Sequence, residues 1–223
     1  MSARSLVPWA GALVVALRFV TCSFAVASSS ETVHLVEALA LREGMRVADV
    51  GSGDGQWAER LAKTVGAAGH VYATEIDAAD VKDIEERASQ AGLENVTALL
   101  GTETDTGLAE GCCDAILLRM VYHHFTVPAA MRASLRRALR PGARLAVIDL
   151  RPRQDWDDLP GVPDRGGHGI SEDDLVAEMM SDGFEVVTRY GEWADNGNRY
   201  CVVFRRAGAP AGAPEDDRSQ EDR

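Results

Sequence analysis

Apolar and polar positions change period along this chain in a regular way. Helical spacing over Glu31 to Leu41, stopped by Gly44, predicts a first helix. A short apolar run from Arg46 to Val50 then enters a glycine-rich turn and predicts a buried strand. Trp57 to Val65, closed by Gly66, returns to helical spacing. His70 to Glu75 is the next strand, and Asp80 to Ala91 a charged amphipathic helix with Gly92 at its C-terminus. Strands follow at Val96 to Leu100 and Ala115 to Leu118, then a helix over Pro128 to Leu139 with proline in its first turn. Pro141-Gly142 turns the chain into the strand Leu145 to Leu150, and Ser171 caps a helix running to Asp182. Glu185 to Tyr190 and Tyr200 to Phe204 close the pattern as two strands around a turn-rich segment. Strands alternating with helices predict an α/β fold: a doubly wound, mostly parallel seven-stranded sheet with an antiparallel edge strand.

The ends stand outside this pattern. In residues 1–30, uncharged runs lie on either side of Arg18, and Ala25-Val26-Ala27 precedes three serines as a signal-peptidase site would. Neither run alone reaches the roughly 18–20 residues of a membrane span. The division is therefore a signal-like or membrane-anchoring leader at 1–30, one domain at 31–206, and a Gly/Pro/Ala-rich, then charged, disordered tail at 207–223.

A formal net charge of −12 argues against a nucleic-acid partner, since such a surface repels phosphate backbones. Aromatic content of 6% also disfavours a surface of base-stacking platforms. The expected partner is a small molecule, with the leader as a means of membrane association; oligomeric state is not legible. The cysteines make neither a disulfide framework nor a CxxC zinc pair, since Cys112 and Cys113 are adjacent and Cys22 lies in the leader.

The chemistry concentrates at VADVGSGDG, Val47 to Gly55. A strand delivers Asp49 to its carboxyl end, and Gly51, Gly53 and Gly55 then form a tight loop before a helix. In open parallel sheets, ligands bind above such turns. The dinucleotide fingerprint G-x-G-x-x-G is not met, because the third glycine arrives one residue early and Gln56 holds its place. Asp49 repels a pyrophosphate but suits a cationic ligand such as a sulfonium bearing an α-amino group. About 20 residues on, Glu75 ends the second strand, where an acid accepts hydrogen bonds from ribose hydroxyls. Ile76 follows and can pack on an adenine face, whereas Asp77 reads as the cap of the next helix.

These segments, with CDAILLRMVYHHF at the fourth strand and LRPGARLAVIDL at the fifth, resemble the class I S-adenosylmethionine-dependent methyltransferases over residues 45–150. The resemblance implies a Rossmann-like methyltransferase fold and S-adenosyl-L-methionine as cofactor. It implies that Asp49, Gly51, Gly53 and Gly55 surround the methionine part, that Glu75 takes the ribose and Ile76 the adenine face. Many members of that family carry an Asp near the adenine amino group; here Thr102 stands there, with Glu103 as the substitute. Arg119 and Met120, past the fourth strand, are expected near the transferred methyl. Within the family the chain is similar to a bacterial, small-molecule type subgroup with GTE-x-D after the third strand and YHHF after the fourth.

Methyl transfer to oxygen or nitrogen also calls for a base working near neutral pH. Tyr122, His123 and His124 follow the fourth strand, Asp149 ends the fifth, and His168 lies in the long loop after it. His124, His168 and Asp149 are the candidates chosen, with His34 and His70 expected elsewhere. Adjacent His123 and His124 point opposite ways if extended. Two histidines and a carboxylate also resemble a metal-ligand set, but no recognised ligand motif is present and no metal is expected. The loop from Arg151 to Gly169 reads as a lid or a substrate loop. The competing functions are an NAD(P)-binding oxidoreductase and a non-catalytic nucleoside-ligand-binding protein of the same fold. Since S-adenosylmethionine is a cytoplasmic metabolite, the domain is expected in the cytoplasm, held at the membrane by its leader; export is the alternative.

Overall fold

The computed structural model describes residues 30–157, 159–194 and 197–207, so the expected leader at 1–30 and tail at 207–223 lie almost wholly outside the described residues. Helix α1 (Ser30–Leu39) is followed by β1 (Arg46–Val50), α2 (Gln56–Val65), β2 (His70–Glu75), α3 (Ala78–Gln90), β3 (Val96–Leu100) and β4 (Cys113–Arg119). Then come a 3₁₀ turn (Tyr122–His124), α4 (Pro128–Ala138), β5 (Leu139–Leu150), α5 (Glu172–Ser181), β6 (Phe184–Tyr190) and β7 (Arg199–Arg206). The seven strands form one sheet in the order β3-β2-β1-β4-β5-β7-β6. Strands β1 to β5 run parallel, and β7, inserted between β5 and β6, is antiparallel to both of its neighbours, so the edge strand β6 runs in the common direction.

Side chains alternate between the two faces of each strand, and each face has its own core. On one side Val47, Val71, Ala73, Ala115, Leu117, Ala146 and Ile148 pack under α1, α2 and Ile84 of α3. On the other, Ala48, Val50, Ile116, Leu118, Leu145 and Val147 pack under α4 and α5. The near-continuous apolar strands of the sequence are those of a sheet covered on both faces.

Chain order runs outward from β1 to β3 and then returns to place β4 beside β1. This reversal opens a crevice at the carboxyl ends of β1 and β4, and the glycine loop sits at that point. Element ends follow local chemistry: Asp77 accepts from Ala79 N–H at 2.7 Å and starts α3 two residues before Asp80. Strand β5 begins at Leu139 rather than Leu145. It pairs with β4 at Leu139 and again from Arg144, and the register shift between Cys113 and Ala115 leaves the Pro141-Gly142 turn between them as a bulge.

Candidate functional site

The loop after β1 is pinned from below. Gly51 and Ser52 N–H groups both donate to the carbonyl of Thr74 on β2, and Gly55 N–H closes the turn onto Ser52. Gly51 has a φ of +70° and its missing Cβ would lie 2.3 Å from Val121 Cγ2, so glycine is required there for both backbone and space. Gly53, at φ +56°, has open space where a Cβ would stand.

A cavity of about 350 Å³ opens over this loop. Its wall includes Gly51, Gly53, Glu75, Ile76, Thr102 and Glu103 among the expected cofactor residues, together with Met120 and His124. Glu75 Oε1 accepts from Gly53 N–H at 2.6 Å and Oε2 from Ile76 N–H at 3.1 Å. A carboxylate has about four lone-pair positions, so two remain for hydroxyl donors. Ile76 is 60% exposed, an apolar surface next to that acid. Thr102 Oγ1 caps its own turn by accepting from Asp105 N–H, and Glu103 accepts from Thr126 Oγ1. Met120 adopts φ +58°, a left-handed backbone uncommon for a side-chain-bearing residue and often found at working sites.

Three expected cofactor residues lie off this wall. Asp49 is buried beneath the loop, where its carboxylate accepts from Ser52 Oγ at 2.6 Å. Burial raises its pKa to about 6, against the Ser52 hydrogen bond, and the Glu75 charge adds to the rise. Gly55 caps α2 with its Cα against Ile84 of α3, a packing role. Arg119 is turned to the other face of the sheet. It donates to both carboxylate oxygens of Glu31 at 3.1 and 3.3 Å and stacks 5.1 Å over the Trp57 ring.

The histidines converge as the sequence suggests, but by a different geometry. Residues 122–124 form a 3₁₀ turn rather than extended chain, so His123 and His124 do not point opposite ways. Their ring centroids are 4.2 Å apart, and both meet His168 from the long loop, at 5.0 and 5.8 Å. An antiparallel bridge between Arg153 and His168 holds that loop. His124 has a pKa lowered by partial desolvation first and by the neighbouring His123 and His168 second. Asp149 is fully buried and reaches neither cavity. It accepts from His123 Nδ1 at 2.6 Å and from the backbone N–H groups of His123 and Leu150, which makes it a positioning residue. Tyr122 is excluded as a base because burial, with Glu178 beside it, pushes its hydroxyl far above neutrality. His70 lies at the opposite end of the sheet on Thr97, and His34 packs on Trp193.

A second cavity of about 220 Å³ lies beyond the histidines, lined by His123, Arg165 and His168 with the loop around Leu159 to Gly169. Arg165, absent from the residues expected at the site, is 5% exposed in its side chain and donates through Nε and Nη2 to Glu178. Among the described residues its Nη1 is buried with no hydrogen-bond partner. The nearest sequence signal is the Arg165-Gly166-Gly167-His168-Gly169 run. There Gly167 and Gly169 take φ of +132° and +128° and let the loop approach Arg153 and Leu150.

A family model described as a methyltransferase domain matches residues 41–207. Among solved structures, a SAM-dependent methyltransferase from Aquifex aeolicus superposes with a TM-score of 0.68 and 27% identity, over 79% of this chain and 90% of that one. A ubiquinone/menaquinone biosynthesis C-methyltransferase from Bordetella parapertussis is 28% identical over 52% of this chain and 48% of its own. A protein-L-isoaspartate O-methyltransferase from Methanothrix thermoacetophila is 33% identical over 51% of each chain. The chain thus spans about half the length of these curated relatives.

Proposed function

The chain belongs to the methyltransferase-domain family, and from that premise we propose that it transfers the methyl group of S-adenosylmethionine to a small-molecule acceptor. The observation that carries the acceptor side is the shared wall between the two cavities. His124 lines the first, His123 and His168 line the second, and the three rings touch. The cofactor side is supported by the fit of the first cavity: a glycine loop open at Gly53, an acid with free lone pairs at Glu75 and an apolar face at Ile76.

When bound, S-adenosylmethionine supplies a methyl group on a sulfonium that departs as a neutral thioether. The protein's main task is then alignment and exclusion of water. Glu75 fixes the nucleoside end, Gly51 and Gly53 allow close backbone approach, and Met120, Val121 and Phe125 close the apolar side. His124 and His168 border the acceptor, where their ring nitrogens lower the cost of removing its proton. Arg165 Nη1 offers an unspent donor to an acceptor bearing a carboxylate or carbonyl oxygen.

A cavity of this size suits a small acceptor, and so does the acidic balance of the chain, which disfavours nucleic acid. The reading includes the bacterial subgroup marked by GTE-x-D and YHHF, and action in the cytoplasm, where the methyl donor is made. Screening small phenols, carboxylic acids, amines and thiols against protein fractions, with S-adenosylhomocysteine release as the signal, tests the acceptor class. Turnover is expected with a small compound; turnover with protein fractions alone overturns it.

A further inference from the structure

We infer that His123, His124 and His168 form a three-histidine site for a divalent transition-metal ion at the wall between the two cavities. One ring nitrogen from each residue lies within 4.8 Å of the other two, among residues drawn from two separate segments of the chain. Imidazole nitrogen is a preferred ligand for zinc, copper, iron and nickel, and three protein ligands with one open position is the pattern of catalytic zinc.

The surroundings of the rings favour ligation over simple packing. His123 Nδ1 is bonded to the buried Asp149 carboxylate at 2.6 Å, and His168 Nδ1 to the carbonyl oxygen of Asp157 at 2.9 Å. Each acceptor fixes a proton on Nδ1 and leaves the Nε2 lone pair directed elsewhere. Metal-ligating histidines are held in this way, with the second ring nitrogen donating to a carboxylate or a backbone carbonyl. The Trp156 ring packs edge-on against His168, its centroid 5.1 Å away.

Zn–N bonds of 2.0–2.1 Å in a tetrahedral site put ligand nitrogens about 3.4 Å apart. The present spread contracts to that value mainly through His124, the exposed member of the three, by rotation about its side-chain bonds. The ligands differ in burial accordingly: His123 is held by its carboxylate, His168 by its loop bridge, and His124 closes the set.

The existence of the site does not depend on the methyl-transfer reading, whereas its use does. An acceptor oxygen or nitrogen in the second cavity that took the open position would be polarised and would release its proton to solvent more readily, so that His124 and His168 would assist as ligands in place of acting on that proton directly.

The test uses tag-free, metal-stripped full-length protein. Zinc is titrated against a chromophoric chelator, and cobalt is added separately for its visible absorption. One equivalent is expected to bind at micromolar or better affinity, with a cobalt spectrum of low coordination number. His124→Ala and His168→Gln are each expected to weaken zinc binding at least 100-fold, and Asp149→Asn 10–100-fold. His70→Ala is expected to leave it unchanged. S-adenosylhomocysteine affinity is measured on every variant. Its retention in His168→Gln shows that the fold survives, and its failure throughout counts against the cofactor reading and not against the metal. Absence of stoichiometric zinc binding overturns the site. So does wild-type affinity in both His124→Ala and His168→Gln, or a loss that follows Cys112→Ser instead.

Discussion

Glu75 Oε1 accepts a hydrogen bond from the backbone N–H of Gly53 at 2.6 Å, so the acid at the end of β2 also holds the glycine loop that follows β1. One side chain thereby sets the loop and presents lone pairs to a ribose. Glu75→Gln keeps an acceptor for Gly53, whereas Glu75→Ala removes both functions. Calorimetric affinity for S-adenosylhomocysteine is expected to fall about 10-fold in the first and 10- to 100-fold in the second, from a loss of about 1–3 kcal/mol. Equal affinity in both variants and wild type contradicts the assignment.

Two neighbouring glycines separate folding from binding. Gly51→Ala forces a Cβ to 2.3 Å from Val121 Cγ2 at a φ of +70°, and is expected to destabilise the fold by roughly 2–4 kcal/mol. Gly53→Arg places its side chain in open space and costs only the left-handed backbone at φ +56°, about 1–2 kcal/mol, so the melting temperature is expected to fall less than in Gly51→Ala while ligand binding is lost. Thermal unfolding with and without S-adenosylhomocysteine reads both.

Asp49 gives the stability curve a defined sign. Its folded pKa stands at about 6, above the ordinary 3.8, because burial disfavours the charge. Between about pH 4 and pH 6 the folded state therefore holds more protons than the unfolded state, and stability falls as pH rises through that window. Asp49→Asn is expected to flatten this segment and to stabilise the protein at pH 7.5 by up to about 3 kcal/mol, at 1.36 kcal/mol per unit. Urea unfolding from pH 4 to 8 is the measurement. An unchanged slope there shows that Asp49 is not the group responsible.

Arg119 ties β4 to α1 through Glu31, which also accepts from Trp193 Nε1 at 3.1 Å. Both side chains of the pair are mostly buried. A double-mutant cycle with Glu31→Gln and Arg119→Met is expected to give a coupling of about 1–2 kcal/mol in stability. Coupling near zero means that the two positions act independently.

The strand ends, the glycine loop and Glu75 were legible because their chemistry is local in sequence: a hydrophobic run, a turn that needs glycine, an acid at a strand terminus. The direction of Arg119 is set by strand parity in β4 and not by nearness to the strand's end. It shares a face with Ala115 and Leu117, which pack under α1 to α3, whereas Ile116 and Leu118 face the other core. The alternation rule applied to His123 and His124 failed for the opposite reason, since the chain there coils into a 3₁₀ turn. Arg165 and the carbonyl of Asp157 belong to a long loop whose path is set by the Arg153–His168 bridge and by packing, which no periodicity records.

The most direct test of the central claim is a crystal structure of the protein with S-adenosylhomocysteine bound. The expected density places the ribose hydroxyls on the Glu75 carboxylate, the adenine against Ile76 and the sulfur on the Met120 and His124 side of the cavity, facing the histidine wall. A ligand whose ribose lies away from Glu75, or whose sulfur points away from His124 and His168, contradicts it.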